Sequence, residues 1–126
     1  MKKTLFTICL ACFFATTSKS FANVKYEVIG LGVNRSASSI NNNGQIVGTI
    51  YEGPIIEGSM QAFLWENGQS QYLWPGSADD INNNGQIIGR TWEGYLPCLW
   101  VNGRVILLVP VGGGKARGIN DSVQIV

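Results

Sequence analysis

The side chains with the clearest capacity for chemistry form a short row of oxygen ligands, Asp80, Asn82 and Asn84, with Gly85 behind them. This order matches the first half of a calcium-binding loop, in which hard oxygen ligands alternate around a bend that glycine permits. The bidentate glutamate that closes such a loop is missing, because Thr91 stands in its place. Since a single carboxylate attracts Ca²⁺ weakly, the pattern favours an asparagine–glycine turn, with the metal site as the open alternative. No cofactor is expected.

Aromatic side chains offer a second kind of chemistry, the stacking of sugar rings. Trp92 and Tyr95 lie within residues 89–97, a segment whose composition predicts a loop. Loop residues on a rigid scaffold often carry binding functions, so these two are the candidate ligand-binding residues. Trp65 and Trp100 occupy equivalent places in two similar stretches of sequence. That equivalence predicts core packing for them.

The remaining side chains do not assemble into a catalytic set. The chain contains no histidine, which removes the commonest general base and excludes Ser-His-Asp and Cys-His arrangements within it. Asp79 and Asp80 are adjacent, and neighbours along a strand point to opposite faces, so they do not form an acid–base pair. Cys98 stands at a core-like position, which is typical of an inert thiol. The sequence therefore predicts a protein that is not an enzyme.

An internal repeat supplies the elements that must position these residues. Residues 39–48 return almost unchanged as residues 80–89, and a worn copy occupies residues 118–126. In the first two copies an apolar tetrad and then an asparagine–glycine pair follow in the same order. A fixed period of this kind indicates a repeat architecture.

Each copy consists of strand and turn signals. The β-branched runs Gln-Ile-Val and Gln-Ile-Ile have glycine on both sides, which is typical of short strands. Asparagine–glycine pairs tolerate positive φ and predict tight turns. Beyond the N-terminal apolar run, no segment has a helical apolar period. The prediction is an all-β fold of tandem β-sheet repeats, each with three or four strands.

Units of this size and strand content fit the blades of a β-propeller. The predicted organisation is a lead-in strand, repeat one, repeat two and a truncated third repeat, over residues 23–36, 37–77, 78–115 and 116–126. Propellers close with about four to eight blades. The expectation is therefore a set of blade-like units belonging to an incomplete β-propeller.

The repeated string also resembles a known family. The pattern Ala-x-x-Ile-Asn-x-x-Gly-Gln-Ile-Val-Gly, followed by Ala-Phe-Leu-Trp-x-Asn-Gly, resembles the HAF family of extracellular repeats. Residues 37–48 with 62–68 carry the resemblance, as do residues 78–89 with 99–103. It implies an exported bacterial protein built of β-rich tandem repeats, and it brings no catalytic residues. The third copy departs from the pattern at Val123, where a turn glycine is expected.

The N-terminal segment, residues 1–22, has the organisation of a secretory signal peptide. A short basic start precedes an apolar run over residues 5–15, and small residues mark a cleavage point after Ala22. The run is shorter than the roughly 20 residues of a membrane span, so no membrane span is expected. The predicted product is one β-repeat domain, residues 23–126, exported to the periplasm or the extracellular space.

Charge and cysteine content narrow the partners. The chain has 9 basic and 8 acidic residues, and outside the predicted signal peptide the basic residues are scattered. Without a basic stripe, nucleic acid is not an expected partner. Cys98 is the one cysteine beyond the predicted signal peptide, so no internal disulfide is expected. Stability must then come from stacking, and the expected partners are a second copy or further repeat units.

Three functions remain open on these grounds. The first is an exported, non-catalytic β-repeat module with a binding or structural role, motivated by the repeats and the predicted signal peptide. The second is a surface polysaccharide-binding or carbohydrate-active fragment, motivated by Trp92 and Tyr95. The third is a truncated remnant of a longer repeat protein, motivated by the worn third copy.

Overall fold

The computed structural model describes residues 25–53, 59–108 and 114–126. The chain divides into two compact units, Met1–Gly30 and Leu31–Val126. Of the first unit only the last six residues are described, so the predicted signal peptide lies outside the described residues.

The second unit is an antiparallel sheet of seven strands that neighbour one another in chain order. Helices are absent from the part of the chain that the structure describes, and the predicted all-β class is confirmed. No described segment forms a helix with the length and apolar character needed to cross a membrane. The strands are β1 (Arg35–Ile40), β2 (Ile46–Glu52), β3 (Ser59–Glu66), β4 (Gln69–Ile81), β5 (Ile87–Thr91), β6 (Pro97–Val101) and β7 (Arg104–Leu107).

The expected lead-in strand over residues 23–36 is largely missing. Residues 25–34 carry no strand, and β1 begins only at Arg35. A strand needs a neighbour to satisfy its backbone groups, and the pairing of β1 with β2 begins at Arg35 opposite Ile50. Residues 25–34 lie outside this pairing and form no strand.

Two tight hairpins occur where asparagine–glycine pairs predict them. Asn67 and Gly68 join β3 to β4 with φ values of 51° and 80°, and Asn102 and Gly103 join β6 to β7 with 51° and 75°. Two consecutive residues with positive φ match the right-handed twist of the strands on either side. These turns set the register of both hairpins.

The long strand β4 lies in the middle of the sheet, with β1, β2 and β3 forming the part on one side and β5, β6 and β7 the part on the other. Its 13 residues pair first with β3, up to Pro75 opposite Gln61, and then with β5, from Gly76 opposite Thr91. Gly76 has a φ of 142°, and a Cβ on it would overlap the carbonyl oxygen of Arg90. Proline and glycine thus let one strand change partners at a close backbone approach.

The same irregularity interrupts the β1–β2 and β4–β5 ladders. The register shifts between Ala37 and Ser39 in β1 and between Ala78 and Asp80 in β4. Such a bulge leaves one residue unpaired and bends the strand. The two matching sequence strings therefore adopt matching strand pairings, and each pairing contains the same β-bulge.

The main apolar cluster joins the two parts of the sheet. Trp74 is one of its buried members, and its indole Nε1 donates to the carbonyl oxygen of Arg90 at 3.0 Å. Trp100 only packs on the margin of this cluster, and Trp65 is half-buried. The buried tryptophan is therefore Trp74 rather than either of the two in equivalent positions, Trp65 and Trp100. The buried members are Val47, Ala62, Leu64, Trp74, Ala78, Ile81, Ile87 and Cys98.

Cys98 is fully buried in that cluster. Burial, and after it the charge of Asp79, raises the pKa of the Cys98 thiol to about 12, although the Gly89 backbone hydrogen bond acts in the opposite direction. A thiol with so high a pKa stays protonated at neutral pH and is a poor nucleophile.

A second, smaller cluster fixes the last described segment onto the sheet. Ala116 and Ile119 are buried against Ile88 of β5, with Leu99 and Ile125 at the edge. This segment makes only one bridge of its own, Ile119 with Ile125. The worn third copy therefore packs as an irregular segment with a single turn.

Candidate functional site

Three asparagine turns lie where the repeated string predicts turns: turn 1 (residues 41–44), turn 2 (82–85) and turn 3 (120–123). In turn 1, the side-chain oxygen of Asn41 accepts from the backbone N–H of Asn43 and of Gln45, each at 3.0 Å. Its Nδ2 donates to Oε1 of Gln45 at 2.6 Å. Turns 2 and 3 repeat all three bonds around Asn82 and Asn120. These are Asx-turns, in which the asparagine side chain stabilises the turn by hydrogen bonds to the backbone that follows it.

The first asparagine of turn 1 and that of turn 2 also reach the next turn. The Nδ2 of Asn41 donates to the carbonyl oxygen of Asn82, and the Nδ2 of Asn82 donates to that of Asn120, both at 3.0 Å. The first of these bonds is buried and the second is partly buried, and the Asn82 residue is 3% exposed. Buried amides that use both ends in this way hold neighbouring segments in one register.

The second and third positions add parallel bonds. The backbone N–H of Asn42 donates to Oδ1 of Asn83, and that of Asn83 to Oδ1 of Asp121, both at 2.8 Å. The Nδ2 of Asn43 donates to the Asn83 carbonyl at 2.9 Å, and the Nδ2 of Asn84 to that of Asp121 at 3.0 Å. We call this set, between turns 1 and 2 and between turns 2 and 3, the asparagine ladder.

The asparagine ladder has a direction. In every bond between turns the donor belongs to the earlier turn and the acceptor to the later one. Asp121 shows the effect on charge, because the side-chain amide of Asn83, and then its backbone N–H, lowers the pKa of the Asp121 carboxyl.

The candidate calcium ligands take part in this hydrogen bonding. The carboxylate of Asp80 accepts from the hydroxyl of Ser39 at 2.6 Å and from the backbone N–H of Ile119 at 2.9 Å. The side-chain oxygen of Asn82 accepts two backbone N–H groups, and Asn84 directs its Nδ2 to the next turn. No cluster of three acidic, cysteine or histidine side chains occurs among the described residues. The geometry thus favours the turn interpretation over the calcium interpretation.

The second sequence-predicted pair lines a cleft of about 260 Å³. The ring centroids of Trp92 and Tyr95 lie 6.1 Å apart at an interplanar angle of 56°. Tyr51 faces the same cleft, and these three aromatic side chains are 38–56% exposed. We call it the aromatic cleft; its described lining is Tyr51, Glu52, Gly53, Ser59, Met60, Trp92 and Tyr95. Exposed rings beside a carboxylate are the chemistry that sugar binding uses.

Hydrogen bonds hold the loop that carries Trp92 and Tyr95. The backbone N–H of Trp92 donates to the carbonyl of Pro75, and that of Thr91 to the carbonyl of Leu96, both at 2.9 Å. Tyr95 has a φ of 51°, a left-handed conformation that costs a bulky residue about 1–2 kcal/mol. The loop therefore keeps its tyrosine in a strained, defined position over the cleft.

Tyr51 and Glu52 are not among the sequence-predicted site residues, although a signal for them exists. The triplet Tyr-Glu-Gly at residues 51–53 returns as Trp-Glu-Gly at residues 92–94. Both triplets stand at the same distance from the repeated string; Tyr51 and Glu52 are the last residues of β2, whereas Trp92 directly follows β5. Their loops differ in length and composition, so the shared aromatic–glutamate–glycine signal is easily missed.

Comparison of the chain with protein-family models, with curated proteins and with solved structures found no match.

Proposed function

We propose that the chain is an exported, non-catalytic module of tandem β-repeats with a structural or binding role. In this proposal β1, β2, β3 and the first part of β4 form one blade-like unit of a β-propeller. The second part of β4, with β5, β6 and β7, forms the next. One observation carries the proposal: the asparagine ladder joins turn 2 to turn 1 and turn 3 to turn 2 by the same bonds.

The packing beneath the asparagine ladder supports the same stacking. Ala78 and Ile81 belong to the cluster that buries Val47, and Ala116 and Ile119 bury Ile88 in the same manner. Each pair lies three residues apart at the start of its copy. In repeat arrays each unit buries its apolar faces only against the neighbouring units.

A non-catalytic role agrees with the state of the reactive groups in the described residues. Oδ2 of Asp79 lies 3.6 Å from Nε of Arg90, and both carboxylate oxygens of Asp80 accept hydrogen bonds. The thiol of Cys98 is buried and held protonated. The predicted signal peptide and the resemblance to the HAF family support export.

The repeat part of the proposal predicts that the array can be lengthened. A second copy of residues 78–115, inserted after Lys115, should raise both the urea midpoint and the m-value of unfolding. The m-value should increase by roughly a third, in proportion to the added surface that unfolding exposes. Circular dichroism during urea titration measures both quantities.

A shuffled insert of the same composition is the control for this experiment. It should lower the midpoint, because it supplies neither the ladder bonds nor the alanine–isoleucine contacts. An inserted true copy that leaves the m-value unchanged would contradict stacking of equivalent units.

A second candidate function, binding of a surface polysaccharide, rests on the aromatic cleft. Trp92 and Tyr95 meet there with Tyr51 and Glu52, two residues that a sugar ring and its hydroxyls would contact. Trp92→Ala should weaken binding of the best oligosaccharide from a neutral and acidic panel by about tenfold, because it removes the largest stacking surface. Titration calorimetry measures the affinity.

Tyr72→Ala is the matched control for the aromatic cleft. Tyr72 is 57% exposed on β4 and does not line the cleft, so its removal should leave the affinity unchanged. Equal losses in both variants would indicate nonspecific adhesion, and no binding by the unaltered chain would exclude this candidate function.

A further inference from the structure

Turn 1 has the acceptor groups that turns 2 and 3 use in the asparagine ladder. Within the described residues no earlier turn donates to them. The carbonyl oxygens of the first two residues of turns 2 and 3, and the side-chain oxygen of the second residue, accept bonds from the turn before. The corresponding atoms of Asn41 and Asn42 receive no such bond within the described residues. Ile40 is 59% exposed, whereas its counterparts Ile81 and Ile119 are 5% and 8% exposed.

Turn 3 presents the other half of the same junction. The Nδ2 of Asn120 uses one hydrogen on Gln124, and the hydrogen that its counterparts direct to a later turn has no acceptor among the described residues. The same holds for the backbone N–H of Asp121. Val126 is 82% exposed, whereas its counterparts Val47 and Ile88 are fully buried.

The hydrogen-bonding groups and apolar side chains of these two surfaces are complementary. We define the leading face as Ala37, Ile40, Asn41 and Asn42, and the trailing face as Asn120, Asp121 and Val126. The leading face offers acceptors and an exposed isoleucine. The trailing face offers donors and an exposed valine, in the arrangement that turns 2 and 3 already use on each other.

We propose that a second copy of this chain docks head to tail, with its leading face on the trailing face of the first. The inference rests on the proposed stacking function and names its partner. Asp121 N–H of one copy donates to Oδ1 of Asn42 in the other, and Asn120 Nδ2 donates to the Asn41 carbonyl. Ile40 packs on Val126, in the way that Ile81 shares an apolar cluster with Val47, and Ile119 with Ile88, within one molecule.

The junction joins two different faces, so one docking step leaves a free leading face and a free trailing face. Association of this type continues to open chains or closes into a ring. The exported chain should therefore form a concentration-dependent series of oligomers beyond the dimer. Sedimentation velocity, with light scattering on the same samples, measures this series.

Two single variants test the faces separately. Ile40→Glu blocks the leading face and Val126→Glu the trailing face, and both side chains are exposed in the isolated chain, so neither change should disturb the fold. Each variant alone should be monomeric, with a dissociation constant raised by roughly 100-fold, because a buried apolar contact is replaced by a buried charge. Thermal melts confirm that both remain folded, and Val105→Glu on β7 is the surface control.

The equimolar mixture of the two variants gives the decisive result. One intact leading face and one intact trailing face remain in it, so the mixture should form a heterodimer and nothing larger. A monomeric unaltered chain overturns the inference, as does a mixture that stays monomeric or a chain that associates only with another protein. If the lengthened array behaves as expected while the chain stays monomeric, the docking inference fails and the stacking function stands.

Discussion

Replacing Gly89 with alanine is expected to lower the free energy of unfolding by about 3 kcal/mol, the upper range for overpacking a core. A Cβ on Gly89 would overlap the carbonyl oxygen of Ser77 and crowd the Trp74 ring. Ser77 lies just before the β4 bulge, in the stretch paired with β5, and Trp74 is a buried member of the main cluster. Neither neighbour has room to move, so the added methyl must displace backbone. Urea unfolding followed by tryptophan fluorescence measures the loss.

Gly114→Ala is the matched control for this substitution. A Cβ on Gly114 meets no atom within 4 Å, so this change should be neutral or slightly stabilising, because alanine reduces the freedom of the unfolded chain. Gly48→Ala should resemble Gly89→Ala, since its Cβ would overlap the Ser36 carbonyl. If Gly89→Ala unfolded at the same urea concentration as Gly114→Ala, the close approach at the bulge would be wrong.

Asn82→Ala is the second substitution with a large expected effect, again about 3 kcal/mol of lost stability. The side chain of Asn82 accepts from the N–H groups of Asn84 and Gln86 and donates to Gln86 and to the Asn120 carbonyl. Truncation leaves four polar groups without this partner in a site that is 3% exposed. The same unfolding titration measures the effect.

Asn82→Asp separates the turn from the asparagine ladder. The change keeps the oxygen that accepts inside turn 2 but replaces the Nδ2 donor by a second oxygen, which faces the Asn120 carbonyl. Asn82→Asp should lower the free energy of unfolding by nearly as much as Asn82→Ala. In the Asn82→Asp variant, amide hydrogen exchange should be faster in turn 3 than in turn 1.

Asn42→Ala serves as the control for both changes at Asn82. Asn42 contributes its backbone N–H to the asparagine ladder, and alanine retains that group. Measured in dilute solution, where docking between copies does not contribute, it should be close to neutral. A neutral Asn82→Ala would mean that the asparagine ladder adds nothing to stability.

Local chemistry explains why much of the fold is predictable from the sequence. Asparagine–glycine pairs made both hairpins at Asn67 and Asn102, because glycine and asparagine adopt positive φ with little strain. Val123 shows the strength of the pattern, since it takes a φ of 61° at the place of the turn glycine. This conformation is strained for a β-branched residue, so surrounding contacts must impose it. The missing lead-in strand shows the limit, because a strand depends on a partner as well as on its own residues.

The candidate site was only half predictable. Trp92 and Tyr95 are identified by their loop, whereas Tyr51 lies on β2 and meets them at the aromatic cleft only in the tertiary structure. The places of the three asparagine turns and the bonding of asparagines within each turn follow from residue types and spacing alone. The direction of the asparagine ladder, the enclosure of Trp74 and the aromatic cleft were decided only by the tertiary structure. The physical reason is range: turns depend on neighbours a few residues away, whereas the asparagine ladder joins atoms 37–41 residues apart.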